Sequence, residues 1–181
     1  MAGSMMYEIR RLVPVNHALV ICAAMSACLL AGALVFEYVE GLAPCKMCIW
    51  QRWAHSGLTL VALSSLLLPT QIRVKMALLF VSLAALTSAA IAGFHAGVEW
   101  HLWDSPFGCS TSLDSSVDLA LMVDQLLATP VVRCDEVPWS LFGISMAGWN
   151  SIISLDIAGF ALICWLANRR PGSTQRLEHS E

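Results

Sequence analysis

Pro44-Cys45-Lys46-Met47-Cys48-Ile49-Trp50-Gln51-Arg52-Trp53 sets a Cys-x-x-Cys pair on the start of a long apolar run, with an arginine one helical turn inside it. Two thiols at this spacing can close a disulfide within one tight turn, and a helix N-terminus beside them stabilises a thiolate. Half of a zinc site has the same spacing, so the pair alone leaves redox chemistry and metal binding open. As a mere staple it would achieve little, because its loop is too short to remove much unfolded-state entropy. Arg52 stands four positions past Cys48 and shares its helix face, about 6 Å deeper along the axis. Its charge, added to the helix dipole, is expected to lower the Cys48 pKa, and its guanidinium can donate to a reducible carbonyl at the membrane interface. The alternative is an arginine snorkelling to the headgroups.

Outward from this stretch the chain is strongly apolar. Its 181 residues are 57% hydrophobic and 13% charged, with a mean hydropathy of +0.69, which points to a bilayer rather than to water. Nothing in it points to nucleic acid. The expected fold is an all-α membrane protein, one domain forming a bundle of four transmembrane helices at about 14–36, 49–68, 74–97 and 142–167. The first run ends in bulky, charged Phe36-Glu37-Tyr38 and is expected to be retained rather than cleaved. Cys22, Cys28 and Cys164 lie inside apolar runs and read as buried small hydrophobes. Cys45, Cys48, Cys109 and Cys134 lie in or beside two connectors, at about 37–48 and 98–141, an even set suited to disulfide chemistry. Within the long connector, Leu119, Met122, Val123, Leu126 and Leu127 recur at helical spacing opposite Asp118 and Asp124. They predict a short amphipathic helix at about 115–128, lying on the membrane or packed within the loop.

Four spans put both termini on one side. Arg10, Arg11, Arg73, Lys75, Arg169, Arg170 and Arg176 fall in the termini and the middle loop, against Lys46, Arg52 and Arg133 on the other face. By the positive-inside rule the termini are expected to be cytoplasmic and the four connector cysteines to face the outer, oxidising side. Trp50, Trp53, Trp100, Trp103, Trp139 and Trp149 also gather near that side, where an aromatic belt accounts for most of them. One surface then carries a rigidly placed pair, Cys45/Cys48, beside Cys109/Cys134 in a flexible loop, a plausible thiol-exchange relay. Static staples in an exposed loop are the alternative for the second pair. Its spacing is too wide for a zinc knuckle, so no metal is expected. His55 reads as packing. Asp156, about 22 Å in from Leu141, lies too deep to pair with Arg52.

Pro-Cys-x-x-Cys-x-x-x-Arg at the head of the second span, four spans, and a third-to-fourth connector bearing two more cysteines resemble the disulfide bond formation protein B family of bacterial inner membranes. The likeness runs from about His17 to Asn168. Gly93-Phe94-His95-Ala96-Gly97-Val98-Glu99-Trp100 and Cys134-Asp135-Glu136-Val137-Pro138-Trp139 look like the forms found in one branch of it. The resemblance implies a thiol:quinone oxidoreductase. Such a protein reoxidises a periplasmic thioredoxin-fold dithiol oxidase of DsbA type and passes two electrons to ubiquinone or menaquinone. By position, Cys109 would receive the partner's thiolate, Cys134 would exchange with Cys45, and Cys48 would meet the quinone beside Arg52. A DsbA-like partner sits about 150 mV above thioredoxin, so a thioredoxin-like disulfide as sole oxidant would run uphill by roughly 7 kcal/mol and a quinone is needed. His95 and Glu99, four apart at the outer end of the third span, read equally as quinone or proton ligands and as a polar pair capping the span. Two competitors remain. A vitamin K epoxide reductase-like protein shares spans and loop cysteines but would carry its quinone-facing Cys-x-x-Cys in a late span. A non-enzymatic tetraspan protein would hold static disulfides or a metal.

Overall fold

The computed structural model of the protein describes residues 2–105 and 132–169. Cys109 and the amphipathic helix expected at 115–128 lie outside the described residues. The chain is mostly helical: α1 (Ala2–Leu12), α2 (Val15–Tyr38), α3 (Lys46–Ser65), a short α4 (Thr70–Ile72), α5 (Leu78–Glu99) and α6 (Met146–Arg169). Pro14 separates α1 from α2, since it supplies no amide hydrogen and its extended ψ of 151° breaks the first helix. Pro69 does the same before α4, which passes through a π-helical turn, Arg73–Ala77, into α5.

Three of these helices, Val15–Tyr38, Leu78–Glu99 and Met146–Asn168, are long and apolar enough to cross a membrane. At 20 residues α3 is nearly as long, but its first half carries Lys46, Gln51, Arg52 and His55, which lower its apolarity. It packs against α2 and α5, while α5 and α6 form the closest pair in the bundle. Small residues make that seam: Ala85, Ala89 and Ala92 of α5 and Ala158 and Ala161 of α6 are all buried. Ser82 Oγ donates to the Ala158 carbonyl at 2.9 Å and Ser151 Oγ to that of Ala89 at 3.1 Å. Fully buried Leu19, Leu58, Leu78, Val81 and Ile157 fill one apolar core shared by the four long helices.

The last long helix starts later than the expected 142. Ser140–Leu141 (β1) pairs antiparallel with Ile144–Ser145 (β2), in the register Leu141 opposite Ile144. Phe142 and Gly143 make the two-residue turn, with φ of 54° and 77°. Positive φ at both central positions is the twist a tight hairpin needs, and it is incompatible with a right-handed helix. Residues 142–145 therefore leave the span, and this hairpin is the one departure from an all-helical fold among the described residues. Asp156 consequently lies only about 15 Å into α6, on its exposed side.

The C-terminal end of α5 is closed by its own backbone. The His101 amide donates to the Val98 carbonyl at 3.0 Å and that of Leu102 to Gly97 at 2.9 Å, with His101 left-handed at φ 57°. This turn lays Trp103 back over the helix, where its indole nitrogen donates to the Phe94 carbonyl at 3.0 Å and its ring stacks on Phe94. Gly97 is required beneath it, since a Cβ there would lie 2.0 Å from the indole.

Candidate functional site

Cys45 is the N-cap of α3. Its backbone is extended (φ −72°, ψ 170°) and its Sγ accepts a hydrogen bond from the Cys48 amide at 3.3 Å, the job a serine oxygen usually does. That geometry brings the two sulfurs to 3.0 Å at the positive end of a 20-residue helix. Cys48 lies at the outer edge of the apolar run that begins with Ile49. Hydrogen bonding from Cys45 lowers the Cys48 pKa, against the effect of burial. The same contact, followed by burial, pushes Cys45 up to about 12, while a hydrogen bond from His95 acts in the opposite sense. Of the pair, Cys48 is the more readily ionised and Cys45 the one that holds its proton more tightly.

Cys134 is fully buried and packs with Cys45, Met47 and Val98, with Cys48 against the same cluster. Its segment is braced within itself and held to α2 by one aromatic contact. Arg133 makes two hydrogen bonds to Asp135, whose carboxyl it holds down at about 2, and the Trp139 ring meets Phe36 of α2 at 5.1 Å.

Arg52 does not act as expected on Cys48. Its guanidinium turns to the end of α2, pairing closely with Glu37 and donating to the Ala33 carbonyl at 3.1 Å. The thiolate is favoured by Cys45 rather than by this cation. His95 reaches the dithiol directly: its Nε2 lies 3.5 Å from Cys45 Sγ and 3.9 Å from Glu99 Oε1. Glu99 also accepts a short hydrogen bond from Ser145, whose hydroxyl caps α6 by accepting from the Gly148 amide at 3.1 Å.

Cys45, Cys48, Arg52, His95 and Glu99 all line one cavity of about 500 Å³ between the long helices, at the ends nearest the dithiol and beside the 132–139 segment. It continues along α2 to Cys28, which is exposed rather than buried, unlike Cys22 and Cys164. Trp139 and Trp149 line it too, whereas Trp50, Trp53, Trp100 and Trp103 are exposed, as a belt requires. The ligand atoms of Cys45, Cys48 and His95 lie within 4.8 Å of one another, a soft donor set that could also hold a metal.

Sequence reading passed over Gln51, His55 and Asn150. Gln51 lies 2.9 Å from His95, Asn150 donates to Gln51 at 2.7 Å, and His55, taken as packing, lies 2.8 Å from Asn150. A signal existed for two of them: Gln51 and His55 follow Cys48 by three and seven positions, one helix face, inside an apolar run.

Comparison with known proteins shows the family to which the chain belongs. The family profile described as "Disulfide bond formation protein DsbB" matches residues 15–164. A "Disulfide bond formation protein B" of Verminephrobacter eiseniae is 34% identical over 160 residues, covering 86% of this chain and 85% of its own. Its namesake from Pasteurella multocida is 35% identical over 68% of this chain and 70% of its own, and that of Stutzerimonas stutzeri 30% identical over 88% and 99%. No solved structure matches. By the extent of the profile match and the identity to these relatives, the chain belongs to the DsbB family of disulfide bond formation proteins.

Proposed function

We propose that the protein is a thiol:quinone oxidoreductase of the bacterial inner membrane. It crosses four times through α2, α3, α5 and α6, with its termini in the cytoplasm and its redox cysteines in the periplasm. It oxidises a thioredoxin-fold dithiol partner of DsbA type. Electrons enter at Cys109/Cys134, pass to Cys45/Cys48, and leave to ubiquinone or menaquinone. The observation that carries this reading is the packing of Cys134 against Cys45 beside a cavity that Cys48 lines.

Each exchange conserves bonds. A thiolate of Cys134 attacks the Cys45–Cys48 disulfide at Cys45, the new bond joins Cys134 to Cys45, and Cys48 takes the electron pair of the broken bond. Its lowered pKa suits it to leave. The cavity fits a quinone head group: about 500 Å³ is within the usual range for small-molecule sites, and apolar walls are interrupted by Arg52 and His95. When bound, a quinone takes up two electrons and two protons as a dithiol becomes a disulfide. Arg52, held by Glu37, and His95 are the donors available to orient its oxygens.

Purified protein with added quinone is expected to oxidise a reduced dithiol partner, and Cys48→Ser to abolish turnover. Full activity in that variant sinks the mechanism. The clustered sulfurs and imidazole favour one further reading, a metal-binding membrane protein. Stoichiometric zinc in the purified chain, with no quinone-dependent oxidation, would establish it instead.

A further inference from the structure

Along the wall of the same cavity, polar side chains from the four long helices stand in line, buried except for the half-buried Asn150. His95 Nδ1 is 2.9 Å from Gln51 Nε2, Gln51 Oε1 is 2.7 Å from Asn150 Nδ2, and Asn150 Oδ1 is 2.8 Å from His55 Nε2. His55 Nδ1 meets Ser26 Oγ at 2.9 Å, and Ser88 Oγ lies 3.0 Å from His55 Nε2. At the near end, His95 Nε2 faces Cys45 Sγ at 3.5 Å. Thiol exchange as described above makes no use of Gln51, Asn150 or His55.

An amide donates only through nitrogen and accepts only through oxygen, and a neutral imidazole does one at each nitrogen. As the two amides are oriented in the structure, the chain runs in one sense. His55 Nε2–H donates to Asn150, Asn150 to Gln51, Gln51 to His95 Nδ1, which leaves the His95 proton on Nε2, the nitrogen that faces Cys45 Sγ at 3.5 Å and Glu99 Oε1 at 3.9 Å, while the ring also bonds to the Cys134 backbone. Reversing one link forces both amides and both rings to reverse together. The alternative is a buried donor facing a donor, at a cost of about 1–3 kcal/mol for each group left unpaired. Satisfied networks of this kind fix one arrangement.

We propose that Gln51, Asn150 and His55 form a positioning relay that holds the His95 proton on Nε2, so that His95 donates to Cys45 Sγ whenever this sulfur leaves a disulfide. The role rests on the thiol-exchange reading given above. In the step concerned, an incoming thiolate bonds to Cys134, the Cys134–Cys45 bond breaks, and its electron pair stays on Cys45 Sγ. A donor at 3.5 Å stabilises that charge, whereas the other tautomer would present a lone pair to it.

Asn150→Asp keeps the side-chain shape but exchanges the Nδ2 donor for an acceptor. Gln51 must then turn its own donor to the new carboxylate, present Oε1 to His95, and draw the proton to Nδ1. Nitrogen NMR of the full chain with labelled histidine rings, at a pH where they are neutral and with His95 assigned by its loss in His95→Gln, reads the tautomer. The expected result is Nε2–H in the unmutated protein and Nδ1–H in Asn150→Asp, with dithiol oxidation slowed at least about tenfold. Gln51→Glu reverses the neighbouring link, is expected to give the same change, and serves if the first variant does not fold. Nδ1–H in the unmutated protein, or Nε2–H retained in the variants, overturns the relay. The ring signal needs no turnover, so an unmutated protein that oxidises no dithiol removes the functional reading while the tautomer is still decided.

Discussion

Cys45 does three things with one sulfur: it caps a helix, donates to Cys48, and packs against Cys134. The hydrogen bond to Cys48 stabilises the thiolate, so it holds that pKa down and its removal moves the pKa up. Cys45→Ala is therefore expected to move the onset of Cys48 alkylation to higher pH, and the rate at neutral pH falls about tenfold for every whole pH step by which the onset rises. Cys45→Ser, which keeps a donor and a cap, falls between. Arg52→Ala is expected to leave that onset in place, because Glu37 already holds the cation, and to raise the KM for quinone about tenfold, about 1.4 kcal/mol. An onset that rises in Arg52→Ala and stays fixed in Cys45→Ala would reverse these roles. The cysteines and Arg52 could be found from spacing because they share one local segment. Asn150 could not: its partner Gln51 lies 99 positions away, and only packing of α3 on its neighbours brings them together.

Helix ends decide where the site's walls stand. Ser145 caps α6 and also donates to Glu99 at the end of α5, so one hydroxyl joins two helix termini. Ser145→Ala is expected to lower stability by about 1–2 kcal/mol, read as a reduced thermal midpoint in detergent, because a cap is lost and a buried carboxylate loses its donor. Gly97→Ala is expected to cost about 1–3 kcal/mol and to shift the tryptophan emission, since Trp103 must leave its place over α5. An unchanged midpoint and spectrum would show that the indole packs elsewhere. The end of α5 was legible to within two residues, as the polar Glu99-Trp100-His101 break announces it. The start of α6 was not. Phe142-Gly143 lacks the Asn-Gly or Asp-Gly pattern that marks tight hairpins, and the apolar run reads straight through it.

At the scale of the molecule, the three apolar helices could be read directly from length and composition, whereas α3, the proposed fourth crossing, is less apolar than they are. Its polar first half is the part that faces the site. Reporter fusions test the proposed topology: a reporter active only in the periplasm is expected to work when joined after Leu102 and to fail after Asn168. Activity at both positions would refute four crossings. Between helices in lipid there is little hydrophobic drive to associate, and each polar contact contributes only about 0.6 kcal/mol. The line from Ser26 to His95 therefore also helps to fix how the outer halves of α2, α3, α5 and α6 sit together. The cavity's extension to Cys28 has a further consequence. Cys28 is exposed on α2, about 15 Å inside the C-terminal end of that helix, so in the proposed topology the cavity wall reaches a surface that faces acyl chains instead of water. A ligand arriving there is concentrated in two dimensions, and its affinity is a mole fraction in lipid. Adding bilayer at a fixed amount of acceptor should therefore slow turnover, while adding buffer should leave it unchanged.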